Sequence, residues 1–570
     1  MASTLLSPGV EIQERDLTIG SIETVEVNVG AIAGAFSKGP VLKPVRISSE
    51  AQLIEQFGEP SEGNATTWWT AASFLQYGGV LDVVRVATSG QLTASDDNVT
   101  SPYTLSIPTI EVYESTYAGA TSNPFKWAAR NPGSESNAIK VAIIDKGADV
   151  TLTLNGALSV STIGTQVVTA AASPGGSKSG YIYDWDSATN KVSLITSDTW
   201  DTTDIVENGV SDLNVSATGD WYDSQIAYGG VGWNSIAPRP GTSPYVEQRG
   251  GKHDEMHIIV FDSTGVITGQ PNTLLEKFIY VSKANDGKTA SGAVNYYPTV
   301  VLNKSQYIYW MDHVATGSNW GSTATGTTFT ALSLPFTRSL VSGADGSAVT
   351  NAQLKTAYEK FADGDTVDVN LIIAGKGDAT HLDNLITIAE NRKDAVVFCS
   401  PERADVVNVT NATTQTSNVK AFFDSIRSSS YVVFDSGYKY TYDKYNDVFR
   451  YVPLNGDTAG LAARTDLVAD SWFSPAGFNR GVMRGVVKLA YNPNKTQRDE
   501  LYRARINPVV TMPGQGTLLF GDKTGLSTPS AFDRINVRRL FITLEKAIST
   551  ASKFQLFEFN DEFTRAQFRN

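Results

Sequence analysis

The chain has 570 residues, of which 41% are hydrophobic and 18% are charged. One hydrophobic core does not organise a chain of this length, so the sequence predicts three or four domains of about 150 residues each. The formal net charge of −13 is opposite to the basic patch that a nucleic-acid-binding protein carries. The N-terminus lacks the pattern of a signal peptide, and the absence of a run of about 18 apolar residues predicts no membrane span.

Close to the N-terminus, residues 5–29 read LLSPGVEIQERDLTIGSIETVEVNV. Two stretches, 10–13 and 23–29, have the composition of strands and are separated by a polar turn. Neighbouring segments offer neither stretch a cover or a partner. Residues 1–29 are therefore predicted to form an N-terminal arm.

Residues 30–90 have the alternation of helix and strand signals that is typical of an α/β domain. Ser48 or Ser49 is placed to cap a helix over EAQLIEQFG, which ends at Gly58. A second helix is predicted in NATTWWTAASFLQYGG, with Trp68, Ala71, Ala72 and Leu75 on one buried face. The apolar run VLDVVRVA that follows, at 80–87, predicts a buried strand.

Residues 91–340 differ in composition and periodicity: they are rich in Ser, Thr, Gly and Asn and show little helical periodicity. This pattern predicts one or two β-rich domains inserted into the α/β domain. The predicted strands lie at 139–145, 151–155, 180–185, 255–262 and 277–283.

The α/β texture returns over 341–515. A helix is predicted in TNAQLKTAYEKFAD, and HLDNLITIAENR is a second helix between the buried strands VDVNLIIAG and AVVFCSP. This order predicts a parallel pair with a right-handed crossover. A hairpin is predicted at 438–454, and residues 516–570, with a long helix from Asp533, are predicted to start an inner C-terminal domain.

The fold class predicted from these segments is α+β and multi-domain. Its inner α/β domain is built from the N-terminal and C-terminal parts, 30–90 and 341–515, and the β-rich insertion 91–340 lies outside it. Because the two outer parts must meet to bury one core, the insertion is expected to project from that core.

Catalytic and metal-binding patterns fail on inspection. In GTLLFGDKTG, Asp522 separates Gly521 from Lys523, which breaks the spacing of a phosphate-binding loop and predicts a structural turn. In HDEMH, His253 and His257 are followed by the strand pattern IIVF. Strand geometry would hold the two histidines about 13 Å apart, which predicts surface histidines rather than a shared metal site. Cys399, the single cysteine, lies in the apolar run AVVFCS and is predicted to be a buried thiol in a reducing compartment. No catalytic, cofactor or metal residues are predicted.

Several long, colinear blocks resemble the tail sheath protein of contractile-tailed, T4-like bacteriophages. They include LLSPGVEIQE, FLQYGGVLDVVRV (74–86), YKYTYDKYNDVFRYVPLNGDTAGLAARTD (438–466), WFSPAGFNRG (472–481) and FGDKTGLSTPSAFDRINVRRLF (520–541). The resemblance covers the first ~90 residues and nearly all of 341–570. Residues 148–252 do not follow the family pattern.

The resemblance implies a structural virion protein rather than an enzyme. Copies would form hexameric rings stacked helically around the tail tube protein, with baseplate and tail terminator proteins as further partners, and would contract to drive the tube through the host envelope. No cofactor, nucleic acid or membrane span is implied. The protein would be made in the host cytoplasm and function in the virion.

The resemblance also gives the arm a role. In this family an N-terminal strand pairs with strands of neighbouring subunits, which an open strand edge permits. The residues expected to make that inter-subunit contact are Val10, Glu11, Ile12 and Gln13.

The resembling proteins continue beyond FEFNDEFTRAQFRN, where this sequence stops. Their remainder supplies a C-terminal arm that holds a neighbour's strand. The resemblance therefore predicts that this chain is a truncated form, and that it is a monomer or weak oligomer when alone.

A basic cluster in DRINVRRLF is the second candidate contact. Arg534, Arg538 and Arg539 are predicted to lie in one helix, with Arg534 and Arg538 sharing a face at i, i+4. In an acidic chain this cluster predicts contact with an acidic tube or a neighbouring subunit. A solvated helix face is the alternative.

Three other functions stay open at this point. One is the sheath of a related contractile machine, such as a bacteriocin or a type VI secretion apparatus. The second is a β-rich adhesin or glycan-binding protein, suggested by the texture of 91–340, and the third is an α/β enzyme. Tubes or stacked rings in the electron microscope would distinguish a sheath from the other two classes.

Overall fold

The computed structural model describes residues 28–96, 104–119, 123–209, 211–315, 317–553, 556–562 and 565–566. It is a mixed helix and strand, multi-domain fold, as the composition and periodicity predicted. The elements of the N-terminal part are β1 (Val29–Gly34), β2 (Val45–Ile47), α1 (Glu50–Phe57), α2 (Ala65–Leu75), β3 (Val80–Arg85), β4 (Gln91–Leu92) and β5 (Ser95–Asp96).

The middle part is mostly strand. Its elements are α3 (Ile110–Thr116), β6 (Trp127–Ala129), β7 (Ile139–Ile144), β8 (Val150–Leu154), β9 (Gln166–Val168), β10 (Ser179–Asp186), β11 (Lys191–Ile195), β12 (Ile205–Val206), β13 (Leu213–Asp220), β14 (Ile226–Tyr228), β15 (Val231–Gly232), α4 (Pro244–Glu247), β16 (Glu255–Asp262), β17 (Thr273–Ser282), α5 (Tyr297–Lys304), β18 (Ile308–Trp310), β19 (Phe336–Val341) and β20 (Ala344–Asp345).

The C-terminal part alternates helices and strands. Its elements are α6 (Asn351–Tyr358), β21 (Leu371–Ile373), α7 (Ala379–Arg392), β22 (Val396–Cys399), α8 (Arg403–Val406), α9 (Ala412–Asp424), β23 (Val432–Asp435), β24 (Tyr438–Asp443), β25 (Val448–Pro453), α10 (Asn455–Val468), β26 (Lys488–Leu489), α11 (Lys495–Arg503), β27 (Ile506–Asn507), β28 (Val509–Met512), β29 (Gly516–Leu519) and α12 (Ile535–Lys553).

A seven-stranded sheet takes strands from both ends of the chain, in the order β2-β3-β1-β21-β22-β23-β27. Strand β1 pairs in parallel with β21, with Gly30 opposite Leu371 and Ala31 opposite Ile372. All other pairs in the sheet are parallel except β2 with β3. Residues far apart in sequence therefore share one sheet, whose buried apolar strands are those of a parallel sheet covered on both faces.

Two hydrophobic cores lie on opposite faces of this sheet. Val397 and Cys399 of β22 pack on one face with Leu382 of α7 and Phe423 of α9. On the other face, the intervening residues Val396 and Phe398 pack with side chains of α1, α2, α10 and α12. The strand alternates between two cores because successive side chains point to opposite faces.

The capping and punctuation signals of the N-terminal part are confirmed. Ser49 accepts a hydrogen bond from the N–H of Gln52 at the start of α1, and Gly58 ends that helix with φ +78°. Helix α2 differs from its prediction, because it is buried nearly all round rather than on one face. It packs on strands β1 and β3 of the sheet and also contacts α1, α10 and β25, so several of its sides are covered.

Glycines in α10 allow this close packing. A Cβ on Gly456 would lie 2.4 Å from the backbone oxygen of Thr70 in α2, and a Cβ on Gly460 would lie 2.3 Å from the ring of Tyr77. Real side-chain carbons do not approach a backbone oxygen so closely. The two helices can lie at this separation only because both positions lack a side chain.

The middle part forms two large antiparallel sheets and the small two-stranded sheet β14-β15. The first has the order β12-β13-β8-β11-β10-β9, and the second has the order β17-β16-β7-β19-β5-β6-β18. The five predicted strands of this region are all present, and the helices α3 and α5 were not predicted. Helix α5 has Pro298 in its first turn, which favours a helix start, but its eight residues are too few for periodicity to reveal.

The chain enters and leaves the middle part through one paired stem. Strands β4 and β20 are antiparallel, with Leu92 opposite Ala344. Beside the stem, the buried Arg85 donates to the carbonyl oxygens of Gly39 at 3.1 Å and Pro132 at 2.8 Å. Burial lowers the pKa of the Arg85 guanidinium to about 10, and the carboxylates of Asp345 and Glu135 oppose that shift.

The contact between α2 and α10 generates a stability test. We expect Gly456→Ala to lower the free energy of unfolding by about 1–3 kcal/mol, because its Cβ would clash with the Thr70 carbonyl and push the helices apart. Urea unfolding followed by tryptophan fluorescence measures this change. Gly219→Ala is the matched control, since its Cβ meets no atom within 4 Å, and an equal loss in both variants would contradict the packing argument.

Candidate assembly surfaces

Exposed large apolar side chains concentrate in the C-terminal part. Of the 25 in the described residues, 16 lie between Tyr442 and Phe559. Contiguous exposed apolar surface on a soluble protein marks a site of contact with another molecule. Two groups stand out, the aromatic face of the β24–β25 hairpin and a stripe along α12.

The aromatic hairpin consists of Tyr440, Tyr442, Phe449 and Tyr451. Tyr440 lies opposite Tyr451, and Tyr442 lies opposite Phe449, so all four share one face of the hairpin. The rings of Tyr440 and Phe449 stack with centroids 5.2 Å apart and an interplanar angle of 12°. Phe449 is nevertheless 50% exposed. The face is preordered by its own ring contacts and still open to solvent.

Strand β25 lies at an edge. In the sheet β25-β24-β26, as far as the structure describes the chain, β24 is the strand neighbour of β25. Such an edge offers backbone N–H and C=O groups to an added strand. The hairpin thus combines an open edge with an exposed aromatic face.

The opposite face of the hairpin is fixed to the helices by a buried ion pair. The Nζ atom of Lys439 lies 2.8 Å from Oδ1 of Asp457 in α10, and the hydroxyl of Tyr77 donates to the same oxygen at 2.9 Å. Burial raises the pKa of the Asp457 carboxyl, and the Lys439 charge opposes that rise. The turn carboxylate Asp443 is likewise buried and accepts from Arg450 at 2.7 Å.

The stripe on α12 contains Phe541, Leu544 and Ile548, which are 39%, 46% and 56% exposed. Their spacing of three and four residues places them on one side of the helix. The opposite side holds the buried residues Ile535, Arg538, Arg539 and Ile542. The helix is therefore apolar on both its core side and part of its solvent side.

The predicted basic cluster is divided by the structure. Arg539 is buried and forms an ion pair with Asp466 of α10. Arg538 is buried too, and it donates to Ser430 Oγ at 2.8 Å while its guanidinium lies over the rings of Tyr431 and Phe532. Both arginines therefore fix α12 to the α/β core.

The prediction that Arg534 lies in the helix is wrong. Its backbone is extended, with φ −112° and ψ 135°, and it forms an antiparallel bridge with Lys523. The helix begins one residue later, at Ile535, whose N–H donates to the carbonyl of Asp522. The Arg534 side chain is 42% exposed and pairs with Asp522 at 3.0 Å. Contact of these arginines with a tube or a neighbour stays a prediction.

The other predicted contact, made by Val10, Glu11, Ile12 and Gln13, lies outside the described residues.

Residues considered for catalysis occupy structural positions. Cys399 is buried as predicted. The prediction of surface histidines is wrong for His257, because β16 lies between β7 and β17 and buries it. Its Nε2 lies 2.8 Å from the carbonyl oxygen of Pro238, and its Nδ1 accepts from the N–H of Tyr280 at 3.0 Å. Burial lowers the pKa of His257, so the ring is neutral near pH 7.

Within the described ranges, no three His, Cys, Asp or Glu side chains are grouped so as to hold a metal ion. In the same part of the chain, none of the helices has the length and apolarity needed to cross a membrane.

Family models match the two parts of the chain that build the seven-stranded sheet. Residues 347–525 match the central domain of phage tail sheath proteins. Residues 29–86 match the N-terminal region of domain III of the tail sheath protein Gp18. These matches define the class of protein as the sheath of a phage tail.

Relatives match over nearly the whole chain. The tail sheath protein of Enterobacteria phage T4 is 32% identical over 637 aligned positions, covering 99% of this chain and 89% of the relative. The tail sheath protein of Vibrio phage KVP40 is 30% identical and covers 100% and 89%. Among solved structures, a sheath tail protein from Listeria innocua is 10% identical with a TM-score of 0.48, covering 96% of this chain and 84% of that one. The chain belongs to the tail sheath protein family of contractile-tailed phages, a family of structural virion proteins.

The contrast between the buried Arg539 and the partly exposed Arg534 allows a second test. We expect Arg539→Ala to lower the free energy of unfolding by about 3–5 kcal/mol, because it leaves the buried Asp466 carboxylate without its cation. Arg534→Ala, the matched control at an exposed pair, should lose less than about 1 kcal/mol. Urea midpoints of the two variants measure the difference. Similar losses would show that α12 is not held by the buried pair.

Proposed function

We propose that this protein polymerises as stacked hexameric rings around a tail tube and contracts to drive the tube through a host envelope. The observation that carries the proposal is the near-full-length similarity to phage tail sheath proteins. The tail tube, baseplate and tail terminator proteins are the partners that such a sheath requires.

We assign the inner position to the α/β domain. This domain combines residues 28–86 with 347–525 and carries α12 and the aromatic hairpin, where the exposed apolar side chains concentrate. The chain enters and leaves the middle part through the paired stem of β4 and β20. One paired stem leaves the sheet uninterrupted, so the middle part is free to project outward from the rings.

Contraction is proposed to draw on burial of surface rather than on a chemical reaction. Each exposed apolar side chain that becomes buried between subunits contributes about 25 cal/mol per Å² of apolar area. The aromatic hairpin and the α12 stripe supply such surface on the part of the subunit that we place nearest the tube. If these patches are less buried between subunits before contraction than after it, the extended sheath has the higher free energy and is metastable.

The arm is proposed to keep subunits connected during this change. A strand from one subunit that extends a neighbour's sheet is held by main-chain hydrogen bonds, which tolerate different side chains and small rotations. The open edge of β25 is one place at which such a strand could be added.

Labelling of intact tails tests the function. The loop that contains Gly176 and Ser177 is exposed, and a Cβ on Gly176 would meet no atom within 4 Å. We expect an epitope inserted there, in the genome that encodes the chain, to bind gold-labelled antibody at regular intervals along whole tails. After contraction the labelled length should shorten. Label confined to the capsid, the tail tip or the fibres would contradict a sheath function.

Removal of the arm tests the connection between subunits. We expect deletion of residues 1–20 to leave the unfolding midpoint of the purified subunit unchanged, because side chains from Val29 onward build the described cores on both faces of the seven-stranded sheet. Tails made with the variant should show naked tubes in negative-stain micrographs. A matched variant with residues 174–177 replaced by four glycines should build normal sheaths. Normal sheaths from the arm deletion would refute the proposed connection.

A further inference from the structure

A cavity in the middle part has the lining of a ligand site. It has a volume of about 860 Å³ and lies between α3, α5 and the chain that follows β18. Its wall contains the aromatic side chains of Tyr113, Tyr296, Trp310, His313 and Trp320. Ligand cavities in proteins typically measure about 300–1,000 Å³ and combine aromatic walls with a few fixed polar groups.

The polar groups are held in place by buried partners. The hydroxyl of Tyr297 accepts from Nε1 of Trp310 at 3.0 Å and lies 2.6 Å from Nδ1 of His313. Since Trp310 is a donor only, the phenol proton is given to Nδ1. Burial lowers the pKa of His313, which keeps the imidazole neutral near pH 7. A neutral ring that accepts at Nδ1 carries its proton on Nε2.

Gly321 allows the backbone to approach that nitrogen closely. A Cβ at this position would lie 2.9 Å from Nε2 of His313 and 3.1 Å from the hydroxyl of Tyr296. His313 Nε2 and the Tyr296 hydroxyl therefore lie close together, beside a backbone position where any side chain would crowd them. This arrangement suits the neighbouring hydroxyls of a ligand.

The charge of the lining indicates which ligand fits. Among the described residues of the lining the cation is Lys126, whose Nζ lies 2.7 Å from a carboxylate oxygen of Asp312. A phosphate or carboxylate ligand would need an unpaired cation, and a purely apolar ligand would leave the polar groups without partners. A pyranose ring has an apolar C–H face for aromatic walls and hydroxyls at its edge.

We propose that this cavity binds an uncharged saccharide through the aromatic wall, His313 and Tyr296. The site is separate from the surfaces assigned to assembly, because its lining residues all lie between 113 and 321. Two sources supply such a ligand, a free sugar and a polymeric glycan of a bacterial surface.

The test titrates the full chain with the methyl glycosides of glucose, galactose and N-acetylglucosamine, and with trisaccharides built from each. Tryptophan fluorescence and saturation-transfer NMR report binding. We expect saturable binding of at least one probe in the millimolar range. A preference for the trisaccharide assigns the site to a polymeric glycan, and equal binding of the monosaccharide assigns it to a free sugar.

Variants connect that binding to the cavity. Tyr296→Phe removes one hydroxyl and keeps the ring, and it should weaken binding by about 2- to 10-fold. Tyr307→Phe, a control in the same sheet region outside the cavity, should bind as the unaltered chain does. Thr299→Trp fills the cavity from α5 and should abolish binding, which keeps the test valid if Tyr296→Phe misfolds. Absence of saturable binding by every probe, or undiminished binding by Thr299→Trp, overturns the proposal.

Discussion

The parallel pairing of β1 with β21 is the constraint on which the rest of the subunit depends. It joins residues near position 30 to residues near position 371 and closes the seven-stranded sheet across the whole middle part. Without that pair, β1–β3 would present unpaired strands and an uncovered apolar core. The entropy of closing a long loop grows only slowly with its length, so a large insertion is compatible with one stable sheet.

Buried polar contacts hold the additions in fixed positions on this sheet. Arg85 ties the stem of the middle part to the core through backbone carbonyls. The Lys439–Asp457 pair fixes the hairpin, and the Arg539–Asp466 pair fixes α12. A buried ion pair adds little net stability because both partners are desolvated, but breaking one is strongly unfavourable. These pairs thus select one arrangement of surfaces, and a subunit of a repetitive assembly needs such uniformity.

The regular elements were predictable because their signals are local. The cap at Ser49, the strands of the insertion and the helix before AVVFCSP each depend on residues that are close together in the sequence. The contacts of the basic residues were not predictable in the same way. Arg538 and Arg539 looked like a charged helix surface, and they are buried because Ser430, Tyr431 and Asp466 come from distant elements. His257 was mistaken for a surface residue for the same reason.

The sequence by itself determined the fold class, the family and the existence of the two α/β parts, because periodicity, caps and long colinear motifs are carried by neighbouring residues. It also excluded a phosphate-binding loop, by the interrupted spacing at Asp522, and a metal-binding histidine pair, by the strand pattern at HDEMH. Only the tertiary structure decided which strands meet, that α2 packs against α10 at Gly456, and that α12 begins after Arg534. Only it brought Tyr296, His313 and Trp320 around one cavity. These features depend on packing between segments distant in sequence, and no local pattern encodes a distance between them.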